Sequence, residues 1–473
     1  MNSTLQTDHQ HLSSLLDATA QLAKDYFKQQ HDLAPGRYIE NIPLGEMPEK
    51  GIGAAKVLDL FKNEYADKIT NSAGPRYFGF VTGGSTPAAV LGDWLVSAYD
   101  QNACGSNDSI APQLEQQTIH FMKQLFGLDE AYFGSFVTGA TVSNFVSLAM
   151  ARQWVGERYG KDFSNEGITD SSLIKVLSGT AHSSVVKSLS MLGIGRNALI
   201  KVDVLSEREA VDTGALEKIL KQNPHQHYIV VANAGTVNTV DFDDLEAIGK
   251  LKAKYNFWLH VDAAFGGFAA LSDHYKHLMQ GINYADSITI DAHKWLNVPY
   301  DAAMQFTRHK NLQLKVFQNS AAYLGDPDQS PDFFHYTPEN SRRWRSLPSW
   351  FTLMAYGKEG HRDIVERNCA MAKKLGEWIS SSNDFKLLAP VRMNVVCFTL
   401  NEEQLTFPRI QQFLTAIRDH GKTFFTPTLY KGMPGIRAAL SNWQTSEEDI
   451  DITTRALTEV YQSSRPLSID SPT

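Results

Sequence analysis

Two stretches of the chain decide its fold: FWLHVDAAFGGF at residues 257–268 and DSITIDAHKWLNVP at residues 286–299. Each contains a short apolar run of the kind that is typical of a strand buried on both faces of a sheet. Residues with chemical function follow each run, with Asp262 after the first and Lys294 shortly after the second. Because ligands of open α/β sheets bind at the carboxyl ends of the strands, these two side chains are candidates for one site.

The same pattern extends over residues 86–300, where apolar runs alternate with segments of helical periodicity. The runs are Ile174–Leu177, Tyr228–Ala232, Phe257–Val261 and Ser287–Ile290, and the helical segments are Gln113–Phe126, Thr141–Arg158 and Asp244–Tyr255. This alternation predicts βαβ units and a mostly parallel sheet that is covered by helices on both faces. The fold class is therefore α/β.

A chain of 473 residues is longer than one hydrophobic core usually supports, so we expect more than one domain. We expect an N-terminal helical arm for dimerisation at residues 1–85, with an amphipathic helix at 12–33. A large domain follows at 86–350 and a small C-terminal α+β domain at 351–473. Residues 320–345 hold prolines, acids and aromatics, which predict a long surface loop, with a lid as one reading.

Composition excludes several classes of function. The chain carries 44 Lys plus Arg against 52 Asp plus Glu, a net charge of −8, so we expect no nucleic-acid partner. No apolar run reaches about 18 residues, so we expect no membrane partner. The cysteines Cys104, Cys369 and Cys397 are too far apart for a CxxC metal pair or a disulfide framework. We therefore expect reduced thiols, no metal site and a cytoplasmic location.

Lys294 has an unusual sequence environment. Its neighbours include Ala292, Trp295 and Leu296, whereas most lysines lie among polar residues. Partial burial disfavours the ammonium form, and a neutral amine is a nucleophile that can form a Schiff base. Lys294 is therefore a candidate covalent catalyst.

Two further segments supply groups that suit a phosphorylated cofactor. His182 follows a predicted strand in SGTAHSSVVKS at 178–188, and the glycine of SFVTGATVSNF at 135–145 opens a helix whose N-terminus suits a phosphate. Taken singly, an imidazole or a glycine turn is more often structural. Together with Lys294 and Asp262 they meet the needs of pyridoxal phosphate: a Schiff-base lysine, an acid for the ring nitrogen, a ring partner and a phosphate cradle.

Four motifs carry a family resemblance: HVDAA at 260–264, DAHKW at 291–295, AHSSV at 181–185 and RRWRSL at 342–347. With them the chain resembles a bacterial-type member of the group II pyridoxal-phosphate-dependent amino-acid decarboxylases, the family of aromatic-L-amino-acid, glutamate and histidine decarboxylases. The resemblance implies the type I, aspartate-aminotransferase-like fold and decarboxylation of an L-amino acid to its amine and CO2. It also implies pyridoxal 5'-phosphate as cofactor and a homodimer with shared active sites.

The resemblance assigns roles to individual residues. Lys294 matches the Schiff-base lysine, Asp262 the partner of the pyridinium nitrogen, and His182 the imidazole that stacks on the cofactor ring. The other cofactor-binding positions that it implies are Ala264 at the second face of the ring, Ala140, Thr141 and Asn144 in the phosphate motif, His293 near the phosphate, and Thr236 in a cofactor-side turn.

The chain departs from the family pattern at two further positions that bear on the chemistry, Asp291 and Phe333. Asp291 stands where animal relatives carry Asn, and a carboxylate would repel a phosphate, so we expect it to point away or to be hydrogen-bonded elsewhere. Phe333 aligns with the loop tyrosine that is proposed to protonate the substrate carbon. Allowing for a shift in the loop, we predict Tyr336 as the donor, with His335 as second choice.

Four questions stay open at this point: the reaction, whether the chain is catalytic, the substrate class and the role of Arg437. Phenylalanine at the donor position is associated in the family with decarboxylating aldehyde synthases, and a non-catalytic homologue that binds the cofactor is a further reading. Gly79 and Phe80 replace two adjacent aromatic residues, so aromatic, acidic and longer polar amino acids are all candidate substrates. Arg437 could hold a substrate carboxylate, but a structural role is the favoured interpretation.

Overall fold

The protein is described by a computed structural model that covers residues 1–105, 109–319 and 332–464. Its helices are α1 (Ser3–Gln10), α2 (Leu12–Gln29), α3 (Ala54–Glu64), α4 (Pro87–Tyr99), α5 (Ala111–Phe126), α6 (Ala140–Arg158), α7 (Phe163–Glu166), α8 (Ser183–Met191), α9 (Thr213–Gln222), α10 (Leu245–Tyr255), α11 (Ala292–Trp295), α12 (Lys310–Phe317), α13 (Ser346–Ser381), α14 (Phe407–His420) and α15 (Glu447–Ser464). Its strands are β1 (Phe133–Val137), β2 (Lys175–Ser178), β3 (Leu199–Lys201), β4 (Tyr228–Asn233), β5 (Trp258–Asp262), β6 (Ser287–Asp291), β7 (Ala303–Thr307), β8 (Phe385–Leu387), β9 (Val395–Leu400), β10 (Thr426–Tyr430) and β11 (Met433–Ala439).

The large sheet has seven strands in the order β1-β7-β6-β5-β4-β2-β3. Strands β3, β2, β4, β5 and β6 run parallel, and β7 is antiparallel to both of its neighbours. The predicted mixed α/β fold with a mostly parallel sheet is confirmed. All four apolar runs that were predicted as strands lie in its central part.

The central strands are apolar on both faces because helices cover both sides of the sheet. In β4, Ile229 and Val231 belong to one hydrophobic cluster with α6 and α8, and Val230 and Ala232 belong to the cluster on the opposite side. Side chains alternate between faces along a strand, so a run with no polar interruption needs two apolar layers. This is the physical reason that these runs stand out in the sequence.

The small domain holds a second sheet, antiparallel, in the order β10-β11-β9-β8. Helix α13 leads into it, and its one non-helical residue is Gly357, with φ 58°. The domain division at residues 85 and 350 stays a prediction, and Gly357 lies close to its second boundary.

The N-terminal arm packs loosely on its own chain. Helices α1, α2 and α3 contain no buried residue, although α2 matches the amphipathic helix predicted at 12–33. Apolar side chains of the arm point to solvent, among them Leu12, Leu16 and Phe61. Across the residues described, no helix combines the length and the apolar character that a membrane crossing needs.

The region predicted as a long surface loop is only partly described, since residues 320–331 fall outside the described ranges. The first part of the described remainder does not lie at the surface. Phe333, Phe334, His335 and Tyr336 are all buried, and the ring of Tyr336 packs 4.6 Å from that of Phe133. An aromatic cluster in this segment finds a partner at the start of β1, which the composition of the loop did not reveal.

Candidate active site

The candidate site lies at the carboxyl ends of β4, β5 and β6, where Asn233 pairs with Asp262 and Asp262 with Thr289. A cavity of about 520 Å³ opens there. Its lining residues are Phe80, Val81, Ala140, Thr180, Ala181, His182, Ser183, Asn233, Gly235, Val237, Asp262, Ala264, Phe265, Lys294, Tyr300 and Arg437. A larger groove of about 730 Å³ holds none of the predicted site residues, so the chemistry of the lining and not its size identifies the site.

Asp262 is held in a fixed orientation at the end of β5. Its Oδ2 accepts a hydrogen bond from Asn144 Nδ2 at 3.1 Å, and its Oδ1 accepts one from the Ala264 N–H at 3.2 Å. The side chain of Asp262 lines the cavity and is nearly buried, at 6% exposure. A carboxylate in this position can serve as a fixed negative charge for a cationic ring nitrogen.

Asn144 does not line the cavity, but it connects the groups around it. Its Nδ2 also donates to Ser184 Oγ at 3.0 Å, and its Oδ1 accepts from His260 Nε2 at 2.9 Å and from Thr289 Oγ1 at 2.8 Å. Burial lowers the pKa of His260 to about 4, although the nearby Asp262 carboxylate opposes the shift. His260 is therefore neutral at physiological pH and serves as a structural donor.

His182 caps the N-terminus of α8 at the edge of the cavity. Its Nδ1 accepts from the Ser184 N–H at 3.2 Å and lies 2.7 Å from Ser184 Oγ. With Nδ1 as acceptor, the proton of the neutral ring is on Nε2. Desolvation in the cavity lowers the pKa of His182, while the charge of Asp262 works in the opposite direction. A neutral imidazole with a free N–H therefore lines the cavity.

Lys294 lies in α11, directly after β6, and its Nζ is 2.7 Å from Asp291 Oδ2. The other oxygen of Asp291 accepts the Ala140 N–H at 2.6 Å and is 3.7 Å from His293 Nε2. The expectation that Asp291 points away from the predicted phosphate cradle or is hydrogen-bonded elsewhere is therefore wrong, because one of its oxygens bonds to the cradle itself. Its carboxylate lies at the N-terminus of α6, where it occupies the Ala140 N–H.

The other predicted cofactor residues differ in their relation to the cavity. Ala264 and Ala140 line it, and Thr141 follows Ala140 in the first turn of α6. His293 lies behind Tyr300, with ring centroids 4.4 Å apart, and burial lowers its pKa. Thr236 does not line the cavity, because its hydroxyl donates to Glu209 Oε2 at 2.6 Å.

Neither of the two predicted proton donors, Tyr336 and His335, lines the cavity, and nor does Phe333, which aligns with the donor position. The guanidinium of Arg342 lies over the ring of Phe333, with its carbon 4.6 Å from the centroid of that ring. His335 Nδ1 accepts the Asn319 N–H at 3.0 Å. Burial raises the pKa of Tyr336 to about 12, and its hydroxyl has no hydrogen-bond partner among the described residues. The segment that holds these residues packs near the start of β1, whereas Ala140 of the cavity follows the end of that strand. The segment and the cavity therefore lie at opposite ends of β1.

Sequence reasoning gave Arg437 too little weight and missed Tyr300, and both line the cavity. Arg437 Nη1 donates to the Val237 carbonyl at 3.0 Å, while its buried Nε has no partner among the described residues. Burial lowers the pKa of this guanidinium, which remains a cation at neutral pH. The hydroxyl of Tyr300 lies 3.5 Å from Thr82 Oγ1.

Gly79 has a local explanation that the sequence did not reveal. A Cβ at this residue would lie 2.5 Å from the ring of Phe424. The absence of a side chain at Gly79 therefore lets this segment pack closely against Phe424. Its neighbour Phe80 supplies an aromatic wall of the cavity, together with Phe265.

The donor set fits pyridoxal phosphate. The cavity presents an amine (Lys294), a braced carboxylate (Asp262) and a neutral imidazole (His182), and the N-terminus of α6 begins at its rim. A Cβ at Gly139, immediately before α6, would lie 3.3 Å from the His293 ring, so the backbone there approaches that imidazole closely. Amine, acid and imidazole are the groups that this cofactor requires from a protein.

The family model for the pyridoxal-dependent decarboxylase conserved domain matches residues 35–401. The chain belongs to this family. It is a pyridoxal-phosphate-dependent amino-acid decarboxylase, a carboxy-lyase, and the resemblance seen in the four sequence motifs is confirmed.

Individual relatives agree with the family assignment. An aromatic-L-amino-acid decarboxylase from Bacillus atrophaeus is 27% identical over 436 residues, which cover 89% of this chain and 88% of that protein. A 3,4-dihydroxyphenylacetaldehyde synthase from Aedes aegypti is 27% identical and covers 88% of this chain and 82% of its own length. A solved structure of Oryza sativa TDC with PLP and tryptamine shares the fold, with a TM-score of 0.87 at 19% identity over 96% of this chain and 98% of that one.

The decarboxylase should lose stability in acid partly through His260. Its folded pKa of about 4 lies below the ordinary value of about 6.5, so the unfolded chain binds more protons between these pH values and stability falls as pH drops below about 6.5. From pH 7 to 4.5 we expect the free energy of unfolding of the wild type to fall by about 2–3 kcal/mol more than that of His260→Gln, measured by urea denaturation. Parallel stability curves for the two proteins would contradict this assignment.

Proposed function

We propose that this decarboxylase acts on an L-amino acid with an aromatic or large apolar side chain. The observation that carries the proposal is the lining of one cavity, which brings Lys294, Asp262 and His182 together with aromatic walls and with Arg437, a cation that has no acidic partner among the described residues. Of the charged residues in the lining, Lys294 and Asp262 have proposed cofactor roles, which leaves Arg437 for a substrate carboxylate. The relatives named for aromatic amino acids support the side-chain preference.

The residues that would hold the cofactor are those proposed from the motifs. Asp262 would keep the proton on the ring nitrogen, His182 and Ala264 would lie at the two faces of the ring, and the N-terminus of α6 at Thr141 would hold the phosphate. When bound, the cofactor supplies an aldehyde that bonds to amines and a ring that accepts the electrons left at Cα. Asn144 acts through Asp262, since it fixes the orientation of that carboxylate.

The remaining chemistry belongs to the side chains. Arg437 would orient the substrate carboxylate in the part of the cavity next to Val237. Apolar groups around Lys294, such as Phe265 with its ring centroid 5.9 Å from Nζ, limit access of water to the reacting atoms. Cα must then receive a proton. Of the imidazole and hydroxyl groups in the lining, which include Thr180 and Ser183 as well, His182 Nε2 and the more acidic phenol of Tyr300 are the proposed donors.

Asp262→Ala should lose at least about 10²-fold in kcat, because it removes the charge that keeps the ring nitrogen protonated. Asp262→Asn keeps the shape and tests the charge alone, so we expect a comparable loss. Rates are measured as CO2 release at saturating substrate. Wild-type turnover in Asp262→Asn would refute the role of the carboxylate.

Arg437→Met should raise the KM for the amino acid by about 10²-fold, the scale of a charge-assisted hydrogen bond to a carboxylate. The affinity for the amine product should change little, because the product has lost that carboxylate. Arg418→Met removes a positive charge from the same domain outside the cavity and serves as the control. Equal losses of affinity for amino acid and amine would indicate a structural role for Arg437.

The sequence predicted Tyr336 as the donor by allowing a shift in the loop alignment. Tyr300, in contrast, is the tyrosine that lines the cavity, and we test it against Tyr336 as the donor. We expect Tyr300→Phe to slow amine formation by about 10²-fold, the lower end for loss of a general acid. Tyr336→Phe should have a small effect, because its hydroxyl is buried against Phe133. The opposite pattern in single-turnover rates would return the donor role to Tyr336.

We propose a homodimer in which the arm of residues 1–85 contacts the second copy. Helices α1, α2 and α3 have no buried residue, and their apolar side chains would gain a partner there. A cytoplasmic location is likewise a proposal, supported by three free cysteines, all of them buried.

The experiment that tests the function is a panel of amino acids incubated with the holoenzyme, with CO2, amine, aldehyde, ammonia and peroxide measured together. The proposal expects CO2 and amine in equal amounts, fastest for aromatic side chains. A decarboxylating aldehyde synthase is the second candidate, favoured by Phe333 at the aligned donor position and by the Aedes aegypti relative. It would consume O2 and water and give CO2 with aldehyde, ammonia and peroxide instead of amine. No CO2 from any amino acid would indicate a non-catalytic homologue.

A further inference from the structure

Asp291 has contacts that the roles above leave unexplained. One oxygen lies 2.7 Å from Lys294 Nζ and the other accepts the Ala140 N–H at 2.6 Å. The side chain is 2% exposed. A carboxylate this deeply buried needs both a positive partner and hydrogen bonds to offset its desolvation. Lys294 supplies the charge, and the first N–H of α6 supplies the hydrogen bond.

Asp291 and Lys294 are both held by regular secondary structure. Asp291 is the last residue of β6, and Lys294 follows three residues later in α11. The N-terminus of α6, where a helix dipole favours negative charge, fixes the carboxylate from the other side. An asparagine in place of Asp291 could accept a hydrogen bond from an ammonium but could not neutralise it.

We propose that Asp291 is a positioning residue that binds the free ammonium of Lys294 whenever this nitrogen is not bonded to the cofactor. The inference rests on the proposed function of Lys294. The ion pair exists only while the nitrogen carries its ammonium charge, so it stabilises the free lysine relative to the cofactor-bonded lysine. Asp291 also occupies the Ala140 N–H, one of the donors that the phosphate would use.

The contact between Asp291 and Lys294 affects cofactor binding and displacement of the lysine in opposite directions. Binding of the cofactor must break the contact with Lys294 and bring a phosphate near a carboxylate, so Asp291 weakens cofactor affinity. An amine that displaces the lysine restores the contact, so Asp291 favours that displacement. A residue that only maintains the fold would support both equilibria, whereas Asp291 opposes one and favours the other.

The test compares the wild type with Asp291→Asn, in which the side chain keeps an acceptor for the Ala140 N–H and loses its charge. Cofactor affinity is measured by equilibrium dialysis of pyridoxal phosphate. Displacement of the lysine is measured with 2-phenylethylamine as the probe: borohydride fixes the cofactor to whatever lysine still carries it, and mass spectrometry gives the labelled fraction of the Lys294 peptide.

Asp291→Asn should bind the cofactor about tenfold more tightly and should need about tenfold more amine to free half of Lys294, the scale of one charge-assisted contact. Asp286→Asn is the matched control, because this buried acid immediately precedes the same strand and pairs with Lys252 and His309. It should leave both constants unchanged, and unfolding temperatures of all proteins check the fold. If Asp291→Asn does not fold, Asp291→Ser carries the same expectations.

Unchanged constants in Asp291→Asn, or a loss of affinity for both cofactor and amine, would overturn the inference while leaving the proposed function intact. A wild type in which borohydride never labels Lys294 would instead overturn the proposed function, and this inference with it. The two failures are therefore distinguishable in the same experiment.

Discussion

The side-chain amide of Asn144 is the contact on which the rest of the site depends. It is fully buried, and both its nitrogen and its oxygen are hydrogen-bonded twice, with Asp262 and Ser184 as acceptors and His260 and Thr289 as donors. A buried polar group left without a partner costs about 1–3 kcal/mol, so the amide has one favourable orientation. That orientation aims the Asp262 carboxylate.

The same network sets the tautomer of His182. Because Asn144 Nδ2 donates to Ser184 Oγ, the serine hydroxyl is free to donate to His182 Nδ1, which also accepts the Ser184 N–H. Nε2 therefore keeps its proton and remains available in the cavity. One amide inside α6 thus links the end of β5 to the start of α8 and fixes an acid and an imidazole relative to each other.

The central fold could be predicted from the sequence because β4, β5 and β6 are buried on both faces, and this leaves uninterrupted apolar runs. The runs of β1 and β7 were missed because they carry Ser135 and Gln305 at buried positions, where the two side chains bond to each other across the strands at 3.3 Å. A polar side chain that is buried in this way needs a hydrogen-bond partner on the neighbouring strand, and the local sequence pattern does not show which residue that partner is.

In the site, too, the residues that a local pattern marks could be predicted, and those placed by distant contacts could not. Lys294, Asp262 and His182 stand at ends of predicted elements and could be found from their spacing and motifs. Arg437 reaches the cavity only through the pairing of β11 in the small domain, and Thr236 turns away from it to bond Glu209. Tyr336 packs on Phe133, a contact that aligning the loop to the family could not foresee.

The central claim is that Lys294 is the residue that bonds to the cofactor in a cavity shaped by Asp262 and His182. The most direct measurement is reduction of the purified holoenzyme with borohydride, followed by peptide mass spectrometry of all lysines. The account predicts one stoichiometric phosphopyridoxyl label, on Lys294, that is lost when an amino-acid substrate is added before reduction. A label spread over other lysines, or a label on Lys294 that no amino acid displaces, would contradict it.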